Sequence, residues 1–279
     1  MRPGRPVTTA LTRYESGQLE RIEALKAEVP GVVSHALGLF ALPLAWVAQK
    51  ALPGAAIQGA LDLSNLVARH LTDVDDVLRD AGVGSIEELR QLDLERLDGL
   101  ADGVHRWAMG VATAEGAATG ALGLPGMVAD IPVVITLALR TIHKIGVCYG
   151  YRATSEEDAS FIYGVLSLSG ANSMREKVAS LGFLRTLQVV LVKQTWKAMG
   201  DKAVANRLSH EGALVLARSL AKQLGINLTR RKALAVIPVI GAVVGGSANG
   251  WWLREVGWAA RRAFQERWLI DAGKLAAAR

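Results

Sequence analysis

The sequence predicts an all-α protein: a compact multi-helix bundle with apolar helical hairpins broken by glycine and proline. Three observations predict it. Apolar residues recur at helical spacing along nearly the whole 279-residue chain. Strand signals are few: "LQVVLVK" at 187–193 and "AVIPVIGAVV" at 235–244 are β-branched, but both have helical flanks and neither is followed by a hairpin turn. The oiliest blocks, near residues 29–61, 107–150 and 233–253, are punctuated by Gly and Pro instead of alternating polar and apolar.

The elements follow in order. Residues 12–29 place Tyr14, Leu19, Ile22 and Leu25 among charges, with Leu11 just before them, as an amphipathic helix does. Residues 29–48 contain no Asp, Glu, Lys or Arg. That length matches a bilayer crossing, but Pro43, the glycines, Ser34 and His35 favour a buried or membrane-dipping helix pair. Between 85 and 104, Ile86, Leu89, Leu92, Leu97, Leu100 and Val104 form apolar stripes on acidic helices that face water. Ser85 and Glu88 fit a capping box, and Thr154 with Glu157 marks another helix start. Basic amphipathic helices are expected over 173–199 and 210–224, the second stopped by Gly225. A last helix face carries Trp and Phe from Trp251 onward.

The stretch "EGAATGALGLPGMVADIP", residues 115–132, has only two charged residues, Glu115 and Asp130. It lacks the strand, glycine spacing and lysine of a phosphate cradle. Gly110, Gly116, Gly120 and Ala114, Ala117, Ala121 recur every three or four residues, a spacing that lets helices approach closely. The reading is a hairpin of small residues: "GLPG" breaks the chain, and a second helix returns over 131–147.

Composition bounds the function. Apolar residues make up 51% of the chain, and mean hydropathy is +0.24. A single cysteine excludes an internal disulfide framework and any multi-cysteine metal site. The basic N-terminus is followed by no continuous apolar run, so no signal peptide is read and a cytoplasmic protein is expected. Residues 1–160 carry 14 Lys/Arg against 20 Asp/Glu, and residues 161–279 carry 18 against 6. The C-terminal half is therefore expected to face something anionic. Lipid headgroups fit better than nucleic acid, because there is no zinc finger, no aromatic RNA-binding motif and no basic run longer than Arg230-Arg231-Lys232.

Two motifs carry a resemblance. "EGAATGALGLPGMVADIPVVITLALRTIHKIGVCYGY" includes Asp130-Ile131-Pro132 and Tyr149-Gly150-Tyr151, and "IPVIGAVVGGSANGWWLREVGWAARRAFQERWL" follows later. Together they resemble the EcsC protein family from about residue 20 to the end. The resemblance implies one EcsC-like helical domain over residues 1–279, with an N-terminal amphipathic helix at 1–28 and the core at 29–279. It also implies a cytoplasmic or membrane-associated bacterial protein, with a role accessory to a membrane transporter among the expectations, and it carries over no catalytic residue.

Candidate site residues remain. Glu115 in apolar company is either half of a buried ion pair with Arg140 or an acid–base group. Asp130 reads as the cap of the returning helix, with Pro132 in its first turn. Asn249, after Gly245-Gly246, either satisfies loosened backbone or meets a ligand headgroup. Trp251 and Trp252 suit a membrane interface, and Arg230, Arg231, Lys232 and Arg254 suit anionic headgroups. Cys148 reads as a small core residue. The five histidines lie far apart, so no metal site is expected, nor a cofactor. The leading expectation is a non-enzymatic, peripherally membrane-associated, lipid-binding protein. The alternatives are an enzyme acting on an apolar substrate through Glu115 and Asp130, and an adaptor for another membrane protein.

Overall fold

A computed structural model describes residues 10–28, 67–68, 70, 72–171, 174–197 and 238–275. Among them are eight helices and no strand: α1 (Arg13–Ala27), α2 (Asp75–Ala81), α3 (Ile86–Leu89), α4 (Leu94–Gly120), α5 (Gly123–Cys148), α6 (Glu156–Gly170), α7 (Met174–Lys197) and α8 (Pro238–Asp271). The apolar block at 29–61, the helix at 210–224 and the cluster Arg230, Arg231, Lys232 lie outside the described residues.

Helix starts follow local chemistry. Thr12 accepts from the Glu15 amide while the Glu15 carboxylate accepts from the Thr12 amide, a full capping box. Ser85 caps α3 through the Glu88 amide, but the Glu88 carboxylate reaches the Gly84 amide instead. The start of α6 is one residue later than the spacing suggests: Ser155 and Asp158, not Thr154 and Glu157, form its capping box. The β-branched run at 187–193 is helical, because it lies inside α7 and packs on α6.

The hairpin of small residues is present with a shorter break than expected. Helix α4 ends at Gly120, and α5 begins at Gly123, well before residue 131, so Pro132 lies inside a helix. A chain expected to bend at Gly245-Gly246 instead forms one continuous helix, with Pro238 as its first residue, where the missing amide costs nothing. Packing explains why the glycines do not break it. A Cβ on Gly246 would lie 2.9 Å from the Thr113 carbonyl oxygen, one on Gly250 2.1 Å from Thr113 Oγ1, and one on Gly257 2.1 Å from the His105 ring. The glycines of α8 thus pack directly against His105, Met109, Thr113 and Ala117 of α4. The close approach inferred for the hairpin alone is shared with α8, the helix that packs most extensively on α4.

The core surrounds α8. Phe264 stacks near Tyr149 and Tyr151 and meets Phe161 edge-on, with centroids 5.3 to 6.3 Å apart. Each such side chain, fully buried, contributes roughly 1.5–3 kcal/mol. The end of α5 is fixed here. Gly150 adopts φ +82°, a left-handed stop that only glycine reaches without strain, and its carbonyl accepts from Arg90. The flanking tyrosines turn inward: Tyr149 donates to Asp98, and Tyr151 donates to Asp271 at 2.8 Å.

Charge pairing across the fold accounts for part of the sequence asymmetry. Basic residues of the C-terminal segment bond acids of the N-terminal half: Arg261 to Asp102 at 2.8 Å, Arg267 to Asp158 at 3.2 Å and Lys274 to Glu15 at 2.6 Å. Those cations are engaged inside the molecule, so the expectation that the basic half faces outward does not hold for them. The acidic helices are also less water-facing than their sequence implies. Asp98 is buried and accepts from Tyr14 at 2.6 Å, from Gln265 at 2.7 Å and from Tyr149. Gln265 in turn accepts from Arg262, which also donates to Gln18.

Candidate functional site

Three elements bring the two carboxylates of the glycine-rich block to one side chain. Asn249 of α8 is wholly buried, and its amide nitrogen donates to Glu115 Oε2 of α4 at 3.0 Å and to Asp130 Oδ1 of α5 at 2.9 Å. Thr119 Oγ1 lies 2.8 Å from the same Asp130 oxygen. These two donations fix the amide orientation, since an oxygen in that place would face two carboxylates. Asp130 is only 3% exposed, whereas Glu115 is half-buried. Carboxylates in such surroundings must be hydrogen-bonded, and one amide serves both.

This arrangement corrects two readings. Asp130 is not a helix cap: it lies inside α5, and its partners come from α4 and α8. Asn249 does not serve loosened backbone, because α8 is unbroken there and the amide goes to the carboxylates. Arg140 lies with its guanidinium 5.3 Å from the centre of the Trp107 ring, a cation–π contact between α5 and α4. Trp251 is 41% exposed, but its neighbour Trp252 is buried in the core and cannot meet a headgroup in this fold. Arg254 is exposed beside Glu255 at 3.9 Å.

A groove of about 580 Å³ lies elsewhere, between α1, α7 and α8, and none of Glu115, Asp130 or Asn249 lines it. No group of three or more His, Cys, Asp and Glu side chains among the described residues is arranged to hold a metal ion. Cys148 is a core residue, its thiol pushed up to about 12 by burial.

A different feature of the same hairpin is open to water. On the outer face of α4, Trp107, Val111, Ala114, Ala118 and, in the turn, Leu122 are all exposed, and none is charged. Trp107 is 50% and Leu122 66% exposed, and Val133 of α5 adds a further 49% exposed side chain. Of these residues, sequence alone assigned only Ala114 to a helix contact, and the structure leaves it exposed. No helix among the described residues is long and apolar enough to cross a membrane.

Comparison with known proteins places this architecture. The profile of the EcsC protein family matches residues 16–269, so the chain belongs to that family. It is also similar to an uncharacterized protein, YdbA, of Bacillus subtilis (strain 168), with 28% identity over 189 residues. That alignment covers 67% of this chain and 63% of the relative, so the chain spans less than two thirds of the relative's length. No solved structure matches.

Proposed function

We propose that this protein is a non-enzymatic, peripherally membrane-associated, lipid-binding helical protein that meets the bilayer with the outer face of the α4–α5 hairpin. The exposed, uncharged stripe from Trp107 to Leu122 carries the reading. A face of this kind gains free energy by leaving water, and a bilayer interface accepts it without a shaped partner. The Trp107 ring with Arg140 above it suits the headgroup level, where aromatic rings and guanidinium groups are both favoured. Arg254, and the cluster Arg230, Arg231, Lys232, add attraction to anionic lipid of about 1 kcal/mol for each basic residue that reaches the surface.

Sedimentation with phosphatidylglycerol and phosphatidylcholine vesicles tests this. Wild-type protein is expected to pellet with the anionic vesicles and to be released by salt. Leu122→Asp is expected to weaken attachment without loss of fold, because the side chain is already in water. The proposal fails if wild type does not pellet at low salt, or if Leu122→Asp and Trp107→Asp both pellet as wild type does.

A further inference from the structure

The groove between α1, α7 and α8 is built from two kinds of surface. Ile22 and Leu25 of α1, Leu181 and Leu184 of α7, Ile270 of α8 and Leu275 beyond it make apolar walls, and Leu168 of α6 joins them. Its polar side chains come from adjoining turns that meet one another. Lys26 donates to Glu266 at 2.7 Å and to Glu23 at 2.9 Å, and Gln188 reaches Glu266. The cations differ in how they are answered. Lys26 is held by two carboxylates, and Arg262 is tied through Gln265 to Asp98. Arg185, exposed one turn from Gln188, has no hydrogen-bond or ion-pair partner among the described residues. The groove thus pairs a long apolar wall with one uncommitted guanidinium.

Size narrows the ligand. A methylene occupies about the volume of a liquid water molecule, about 30 Å³, so about 580 Å³ accommodates on the order of nineteen such groups. That is room for one alkyl chain with a small headgroup. We propose that this groove binds a long-chain fatty carboxylate, with its chain along Ile22, Leu181, Leu184 and Ile270 and its carboxylate on Arg185. A guanidinium and a carboxylate match in a two-bond fork, which a neutral alcohol cannot form. The inference deepens the lipid-binding part of the proposed function and does not need the hairpin to touch a bilayer.

The test is calorimetric titration of the full chain with decanoate, dodecanoate and decanol, each below its aggregation concentration. Saturable binding of one decanoate per chain is expected. Dodecanoate should bind roughly tenfold tighter, from two more buried methylenes. Decanol should bind about tenfold more weakly than decanoate, and Arg185→Gln should remove that difference. Gly182→Phe should abolish binding. Gly182 lines the groove, nothing lies within 4 Å of a Cβ placed there, and a side chain in place of glycine favours the helix, so the melting temperature should not fall. Leu122→Asp should bind decanoate as wild type does, which separates the groove from the membrane contact. The proposal is overturned if wild type shows no saturable binding. It is also overturned if chain length or the carboxylate makes no difference, or if Gly182→Phe binds normally.

Discussion

Replacing Asn249 by leucine keeps a side chain of similar size and removes one buried donor. Two bonds disappear, at 3.0 Å to Glu115 and 2.9 Å to Asp130. A hydrogen bond to a charged group is worth about 1.5–3 kcal/mol, so the pair is worth about 3–6 kcal/mol if nothing replaces it. Half-buried Glu115 can turn to water and recover part of its share. Asp130, at 3% exposure, cannot, and keeps Thr119 beside it. The expected loss is therefore about 3–5 kcal/mol, a fall in melting temperature on the order of 10 °C for a chain of this size. Urea unfolding followed by circular dichroism measures it, with the denaturant slope checked so that the change reports stability. Asn249→Asp should be worse than Asn249→Leu, because it adds a third carboxyl to the cluster. A double-mutant cycle with Glu115→Gln should show coupling above about 0.5 kcal/mol. If Asn249→Leu stays within about 1 kcal/mol of wild type, the amide does not hold the two carboxylates together and the account of the cluster is wrong.

Two further outcomes follow from the α4–α8 contact. Gly246→Ala should destabilise by about 1–3 kcal/mol, since its Cβ meets a backbone oxygen that cannot move aside, whereas Gly182→Ala should stabilise by about 0.5–1 kcal/mol; thermal melts of the two distinguish packing from propensity. His105 is buried against Trp258, and burial, then the Arg261 guanidinium, holds its imidazole down at about 4, opposed by a hydrogen bond to the Arg254 backbone and by the Asp102 carboxylate. Because the folded value lies below the unfolded 6.5, stability from this residue is full above 6.5 and is lost as pH falls toward 4, by up to about 3 kcal/mol; His105→Gln should flatten that stretch of the pH–stability curve, and an unchanged curve would refute it.

Much of the architecture was legible because helix formation is decided locally. Periodicity placed α1, α4, α6 and α7, but the small-residue spacing marked the packed face only in part: Gly116 and Gly120 are buried, while Gly110, Ala114 and Ala121 are exposed. Asp130 shows where local reading ends. A carboxylate two residues before a proline has the chemistry of a helix cap, and also that of an acceptor inside a core. The donor that decides between them, Asn249, lies 119 residues further on. Asp98 was hidden in the same way: its neighbours in sequence are acidic and exposed, while its partners Tyr14, Tyr149 and Gln265 come from three other parts of the chain. Trp251 and Trp252 differ by one residue, a rotation of about 100° on a helix, and that rotation sends one to solvent and the other to the core. No composition or moment distinguishes them until the packing face of α8 is known.

That packing face explains why buried polar groups stand at separate points along α8. A slip of one turn along a helix contact moves each residue by about 5.4 Å. The polar contacts do not tolerate it. Such a slip would carry Asn249 away from Glu115 and Asp130, and Gln265 away from Asp98, and each carboxylate would lose a donor. Asn249 and Gln265 lie about 24 Å apart along the helix axis, so together they fix both the position of α8 along α4 and its rotation. Arg261 on Asp102 adds a third point between them in depth, nearer the surface. The carboxylates that sequence offers as an alternative reaction centre thus have a structural role in holding the register of α8 on α4, and both surfaces proposed here for lipid, the outer face of α4 and the groove beside Arg185, lie apart from them.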